Sequence, residues 1–369
     1  MNPLRVLHVF SSLGRGGAET MIMNIYRKID RDKIQFDFIV NENDCKYAYE
    51  DEINQLGGKI FCVPKFSMLK FFSYKNIWKR LLNEHPEWSI VHVHYPVAAA
   101  AYVGMAKAMN KKIIAHSHNT DNKTGMLKSY IKTLMRYPLR YKADYLFACS
   151  KQAAEWMFGR KSAYIIKNAI DSNEFVFNPK IREHKRAEMN INDNFVIGHV
   201  GKFHPQKNHE FLIDIFFEVK KKCAKSVLLL VGDGPLRAEA ESKAKNLGIA
   251  DSVIFTGVRT DTADLLQVMD VFVFPSLYEG LGLVVIEAQA SSLPCVISSV
   301  IPDEVRITNL VKFMSLHKSA EAWAEKILQF ANNMKRVDMR EEIKNAGYDV
   351  KEQVKLLSEL YTQLLKSSV

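Results

Sequence analysis

Glu279 and Glu287, with seven residues between them, frame the segment of this sequence richest in reactive groups, Val271 to Ala288. A buried-strand pattern ends at Pro275, a glycine-containing loop follows, and a helical pattern begins near Gly282. A helix start leaves backbone N–H groups free and carries partial positive charge, so it can hold a phosphate. Carboxylates on either side of it can accept hydrogen bonds from sugar and ribose hydroxyls. Glu279 could instead only cap the helix, and Glu287 could be a surface residue. Glu287 lies in an otherwise apolar stretch, however, where an unpaired carboxylate is costly.

Three further segments place reactive groups at strand ends. After the strand Val196–Val200, Gly201 leads into Lys202 and Lys207 and then a helix; fixed cations beside a helix N-terminus suit a diphosphate. Ile113–His116 runs into Ser117 and His118, so His116 and His118 share one face of the strand. A metal site there would need a third ligand, and no H-E-x-x-H or H-x-x-E-H helix supplies one; His118 is the better candidate for a site, and His116 for a buried core histidine. Near the N-terminus a glycine-rich turn, Ser11 to Glu19, joins the first strand to a helix, and Gly16 and Gly17 let the backbone approach a ligand. Gly14-x-Gly16 loosely resembles a dinucleotide fingerprint and Glu42 follows the second strand, but Glu19 stands where glycine or alanine is required.

The elements that must position these groups are short apolar strands alternating with helices. In the first half they are Arg5–Phe10, Phe36–Val40, Ile60–Val63, Ile90–Val93, Ile113–His116 and Tyr145–Cys149, the near-continuous apolar runs of parallel sheets covered on both faces. A polar stretch around Asn173–Asn194 interrupts them. The alternation restarts at Val196–Val200 and continues through Val227–Val231, Val253–Phe255, Val271–Phe274 and Cys295–Ser298. Two βα series joined by a linker mean two doubly wound α/β domains, residues 1–172 and 190–345. A last amphipathic helix, Val350–Leu365, has no strand after it, and residues 350–369 are expected to pack back on the first domain. Open α/β sheets bind ligands beyond the carboxyl ends of their strands, so two facing sheets would make a cleft.

Composition narrows the class. The 369 residues are 47% hydrophobic and 25% charged, as in an ordinary globular protein. No run approaches a transmembrane span and the N-terminus lacks a signal-peptide pattern, so a cytoplasmic location is expected. The five cysteines are scattered and never spaced C-x-x-C, which argues against a disulfide framework and a cysteine zinc site. The net charge is +10, and the basic excess lies wholly in residues 1–170, net +12, against −2 for the remainder. That asymmetry points to an anionic partner for the first half. No nucleic-acid-binding module accompanies it.

Taken in order, GGAET, HSHN, NAID, VGKFHPQKNH, LLLVGDGPL, FTGVRTD and PSLYEGLGLVVIEAQASSLP resemble a retaining family 4 glycosyltransferase of GT-B fold, similar to those that build bacterial exopolysaccharide or capsule repeat units. The resemblance covers nearly the whole chain. It implies two Rossmann-like domains facing across a cleft, a nucleotide-sugar donor, a saccharide acceptor, no cofactor and no metal. It further implies that Lys202 and Lys207 neutralise the donor diphosphate and that Gly282 and Leu283 offer backbone N–H groups to phosphate. Glu287 would bind the ribose, Glu279 the transferred sugar, and backbone near Val258 the base. His118 would line the transfer site, and Gly16 and Gly17 would approach the phosphate. Lys202 stands where arginine is usual, Ser291-Ser292 replace a small-Gly pair, and Ala169 replaces glycine. The rivals are an epimerase or phosphorylase of the same fold, a nicotinamide-dependent oxidoreductase, and a non-catalytic nucleotide-sugar-binding protein.

A membrane partner is also expected. Lys128, Lys132, Arg136 and Arg140 recur every four residues on one helix face. Lys65 to Arg80 interleaves five cations, Lys70 among them, with Phe66, Phe71, Phe72, Tyr74 and Trp78 and no acid. Basic faces beside aromatic ones suit an anionic lipid surface, hence a peripheral location on the inner face of the membrane and a polyprenyl-linked acceptor. A solvated helix face is the plainer reading. No feature specifies an oligomeric state.

Overall fold

The structure is a computed structural model that describes residues 3–14, 16–42, 47–118, 138–331 and 335–366. The chain divides into two compact units, Met1–Ile170 with Gly347–Val369, and Asp171–Ala346.

Unit 1 holds β1 (Leu4–Phe10), β2 (Ile34–Asn41), β3 (Ile60–Val63), β4 (Trp88–Val93), β5 (Lys112–Ser117), β6 (Tyr145–Ala148) and β7 (Tyr164–Ile165), in the order β3-β2-β1-β4-β5-β6-β7. All pairings are parallel, and apolar residues pack on both faces. Val6 and Phe10 join the core under the helix Gly17–Lys28, while Leu7 and Val9 join the core built around Trp78 and Tyr102. This period-2 division explains why the strands read as unbroken apolar runs.

The last helix, Val350–Lys366, completes the first of these cores with Leu357, Leu360, Tyr361 and Leu364. It enters unit 1 beside the point where the chain leaves: Val350 N donates to Ile170 O at 2.9 Å, and Ile170 N donates to Tyr348 O at 2.9 Å. Residues 350–366 therefore pack on the N-terminal sheet, as the sequence leads one to expect.

Unit 2 holds β8 (Phe195–Val200), β9 (Ser226–Val231), β10 (Val253–Phe255), β11 (Val271–Phe274), β12 (Cys295–Ser298) and β13 (Val311–Met314), ordered β10-β9-β8-β11-β12-β13 and again parallel. In both units the first strand lies beside the fourth, so the strand order reverses there, and such a switch point opens a crevice at the strand ends.

Cys149, Cys223 and Cys295 form no disulfide, so the described cysteines form no framework. Cys62, on β3, is disulfide-bonded. Spacing along the chain does not record which Cβ atoms the fold brings to bonding distance.

Candidate functional site

The unit 2 groups converge at its switch point. β8 and β11 are neighbours, with Val271 beside Ile197, so the segments that follow them emerge together. The β8 segment passes through a short 3-10 turn, Pro205–Lys207, before the helix His209–Lys222. The β11 segment runs through the loop to Glu279 and then into the helix Leu283–Ala290. Lys207 Nζ lies 2.6 Å from Glu279 Oε1, with 17% and 8% of the two side chains exposed. The ammonium also sits 4.5 Å from the centre of the Phe274 ring, a cation–π contact. A Cβ on Gly201 would come within 3.2 Å of the Lys207 stem, so glycine there leaves the lysine its path.

Gly282 caps the following helix in the left-handed region, φ 82°, which glycine occupies without steric cost. The helix then begins at Leu283, and its first backbone N–H groups have no partner within the helix. One turn further on, Glu287 is half-buried. Burial, with the nearby negative charge of Glu174 adding to it, pushes its carboxyl up to about 7. A fixed cation, a helix start and two carboxylates thus share one strand-end region. Lys202 is exposed, free of the Lys207–Glu279 pair. Val258 is exposed on the loop after β10, and Gly257 O of that loop accepts Gly232 N at 2.9 Å.

The unit 1 groups lie at the corresponding end of its sheet. Gly16 caps the helix Gly17–Lys28, with the Glu19 carboxylate folded back over it. His118 follows β5 and is half-buried, with its Nε2 2.8 Å from His94 Nδ1. Burial drives the His118 imidazolium pKa down to about 3, so the ring is neutral near pH 7.

Sequence reasoning passed over His94, together with His8 and His92. The three share a face with Ile90 and Ile114 and line the same part of the sheet as His116 and His118. Ile90-x-His92-x-His94 repeats the pattern Ile114-x-His116-x-His118, and that parallel was the available signal. His94 supplies the third imidazole that the local spacing around His116 and His118 lacked.

Of the membrane-directed residues, Lys128, Lys132 and Arg136 lie outside the described residues. Arg140 is half-buried, its guanidinium against Gly159 and 5.7 Å from the Tyr141 ring centre. Lys70 is exposed, and so is Phe72 at 78%. Phe71 instead packs against Phe66 and the core. Leu69, 98% exposed, and Met68 extend the apolar patch beyond the residues singled out from sequence. Among the described residues, no helix is long and apolar enough to cross a membrane.

Comparisons with known proteins agree with this architecture. Residues 15–174 match the family described as Glycosyltransferase Family 4, and residues 194–333 match Glycosyl transferases group 1. EpsF of Bacillus subtilis (strain 168), whose name assigns it to the glycosyltransferases, is 37% identical over 97% of this chain and 96% of its own. An Escherichia coli enzyme, UDP-Gal:alpha-D-GlcNAc-diphosphoundecaprenol alpha-1,3-galactosyltransferase, is 26% identical over 54% of each chain. The crystal structure of Anabaena HepE in complex with UDP superposes with a TM-score of 0.78 at 17% identity, covering 97% of this chain and 100% of that one. None of these matches points to a nicotinamide enzyme or an epimerase.

Proposed function

The chain belongs to the glycosyltransferases, with a family 4 domain and a group 1 domain and two Rossmann-like units of the kind found in GT-B enzymes, and from that premise we propose a specific reaction. It moves a hexose from a UDP-sugar to a lipid-linked saccharide, keeps the configuration of the transferred sugar, and needs no metal. The observation that carries this reading is the Lys207–Glu279 pair beside the start of the helix Leu283–Ala290.

In the reaction the bond from the sugar's anomeric carbon to the diphosphate breaks, and negative charge grows on the leaving oxygen. Lys207, together with Lys202 from the same segment after β8, stabilises that charge electrostatically, the role a divalent ion plays elsewhere. Gly282 and Leu283 add backbone N–H groups at the helix start. Glu279, released from Lys207 as the phosphate arrives, accepts hydrogen bonds from the sugar hydroxyls. Glu287 takes the ribose, and backbone at Val258 takes the base. Gly16, Gly17 and His118 are assigned to the unit 1 share of phosphate and acceptor binding. The acceptor hydroxyl oxygen bonds to the anomeric carbon on the face from which the phosphate departs, and its proton passes to the departing phosphate oxygen. HepE, in complex with UDP, supports the choice of uridine, and the undecaprenol-linked acceptor in the name of the E. coli enzyme supports a lipid carrier.

A thermal-shift panel of UDP-, GDP- and ADP-sugars, with and without EDTA, tests the donor. Ligand at a hundred times its dissociation constant adds about 2.7 kcal/mol of apparent stability. UDP-sugars alone should raise the melt, equally with chelator present; a shift only from GDP- or ADP-sugars would overturn the choice of base. For the membrane, the basic segment carrying Lys70, exposed Leu69 and exposed Phe72 suits an anionic surface. Co-sedimentation with phosphatidylglycerol vesicles should fall sharply in Leu69→Asp/Phe72→Asp. Equal binding by both proteins would remove this patch from the account.

A further inference from the structure

Five of the eleven histidines, His8, His92, His94, His116 and His118, meet on one face of the unit 1 sheet. Burial holds every one of them well below the ordinary imidazolium range, so the cluster is neutral. The inter-ring distances leave His8 Nε2, His116 Nε2 and His118 Nδ1 buried without a partner. Three orphaned imidazole nitrogens in one cluster are unusual, because buried polar atoms are nearly always paired.

We propose that His94, His116 and His118 form a binding site for a divalent transition ion of the zinc class. His116 and His118 present a His-x-His pair from the end of β5. His94 comes from the end of neighbouring β4, where the register sets Val93 beside Ala115 and so His94 beside His116. One ring nitrogen from each of the three lies within 4.8 Å of the other two. A tetrahedral ion with bonds of about 2.0–2.1 Å needs nitrogens roughly 3.3 Å apart, so small ring rotations close the site. Its shortest edge, His94 Nδ1 to His118 Nε2, is 2.8 Å.

Two of the three outer nitrogens are supported as ligating histidines require, and that of His118, Nδ1, stays buried without a partner. His116 Nδ1 is 3.1 Å from His92 Nε2, and His92 Nδ1 is 2.7 Å from the Tyr361 hydroxyl. His94 Nε2 is 3.0 Å from His8 Nδ1. The orphaned His116 Nε2 is thereby left for the ion. An overlapping triad, His8, His92 and His94, has the same spread. It is the weaker site because both nitrogens of His92 are already engaged. Three neutral imidazoles leave a fourth position for water or an anion, and they select Zn2+, Co2+ or Ni2+ over the oxygen-seeking Mg2+ and Ca2+.

The ion takes up the Nε2 lone pair of His118. Resting on the role proposed for His118, the site is therefore inhibitory: transfer runs without metal, and Zn2+ stops it.

The test uses the full chain, stripped with chelator and titrated with Co2+. The expected result is one equivalent bound, with the intense visible bands of four-coordinate cobalt, displaced by Zn2+. His94→Gln and His118→Gln each lose those bands or weaken affinity more than about tenfold. Both positions are half-buried, so these variants remain informative even if substitution of the fully buried His116 prevents folding. Absence of the bands in the parent protein, or their survival in both variants, overturns the site and leaves the donor reading untouched. One equivalent of Zn2+ should also abolish sugar transfer, restored by chelator. Stoichiometric binding with undiminished transfer would keep the site and overturn the role of His118.

Discussion

Replacing Lys207 with methionine separates the two things this residue does. The side chain keeps its length against the Phe274 ring but loses its charge, and Glu279 is left without its 2.6 Å partner. At that distance the pair attracts by about 6 kcal/mol if the effective dielectric is near 20. Desolvation cancels much of this, and removing one partner of a buried pair costs about 3–5 kcal/mol. Both side chains keep some exposure, so the lower end applies, about 3 kcal/mol, which for a unit of this size lowers the melt by on the order of 10 °C. Turnover should fall by about a hundredfold to a thousandfold, the cost of removing one fixed stabiliser of developing charge. The double variant Lys207→Met/Glu279→Gln leaves no charge unpaired and should regain most of the melt but none of the turnover. Thermal melts with steady-state transfer assays on all four proteins complete the cycle. Turnover within a few-fold of the parent for Lys207→Met, or turnover regained together with the melt in the double variant, would refute the assignment of Lys207 to the leaving diphosphate.

Glu287 makes a prediction in pH. Its carboxyl is raised from an ordinary 4.5 to about 7, chiefly by burial. A raised carboxyl stabilises the folded state fully below the unfolded value, and that contribution is lost as pH climbs through the folded one. Stability should therefore decline between about pH 4.5 and 7 and then level off. Glu287→Gln should flatten this slope and gain on the order of 3 kcal/mol at most above pH 7, less because the side chain keeps some access to water; urea unfolding across the range measures it. An unchanged slope in the variant would place the titration elsewhere. Tyr361→Phe removes the 2.7 Å partner of buried His92 Nδ1 and should destabilise unit 1 by about 1–3 kcal/mol in chemical denaturation. A stability equal to the parent's would mean that His92 does not depend on the terminal helix.

Legibility followed the physics of each feature. β3, β10, β11 and β12 have the bounds that their apolar runs indicate, because strands buried on both faces leave an unbroken signal. β7, two residues at a sheet edge, and β13, with Lys312 exposed among apolar neighbours, lacked that signal and were not anticipated. The terminal helix was legible because its buried residues recur at helical spacing. At the candidate site, the helix start at Gly282–Leu283 was readable from local chemistry. The Lys207–Glu279 contact was not, since it joins residues far apart in the chain through the pairing of β8 with β11. His94 was hidden for the same reason: its partners lie on the next strand. Phe71 shows the opposite limit, where composition marked a residue for the surface and packing turned it to the core. Ser292 carries one departure from the family pattern into the backbone, standing at φ 55° where a glycine would be unstrained.

The chain leaves unit 1 at Ile170 and re-enters it at Gly347, and this has a consequence for how the protein is made. During synthesis the strands β1 to β7 emerge first, yet the face that receives Leu357, Leu360, Tyr361 and Leu364 stays open until residues 350–366 clear the ribosome. Unit 2, an uninterrupted stretch from Asp171 to Ala346, can close while that face is still waiting. Of the two units, the one whose translation starts first is therefore the last to finish folding, and a ribosome stalled before residue 350 holds a nascent chain with an open apolar face on unit 1.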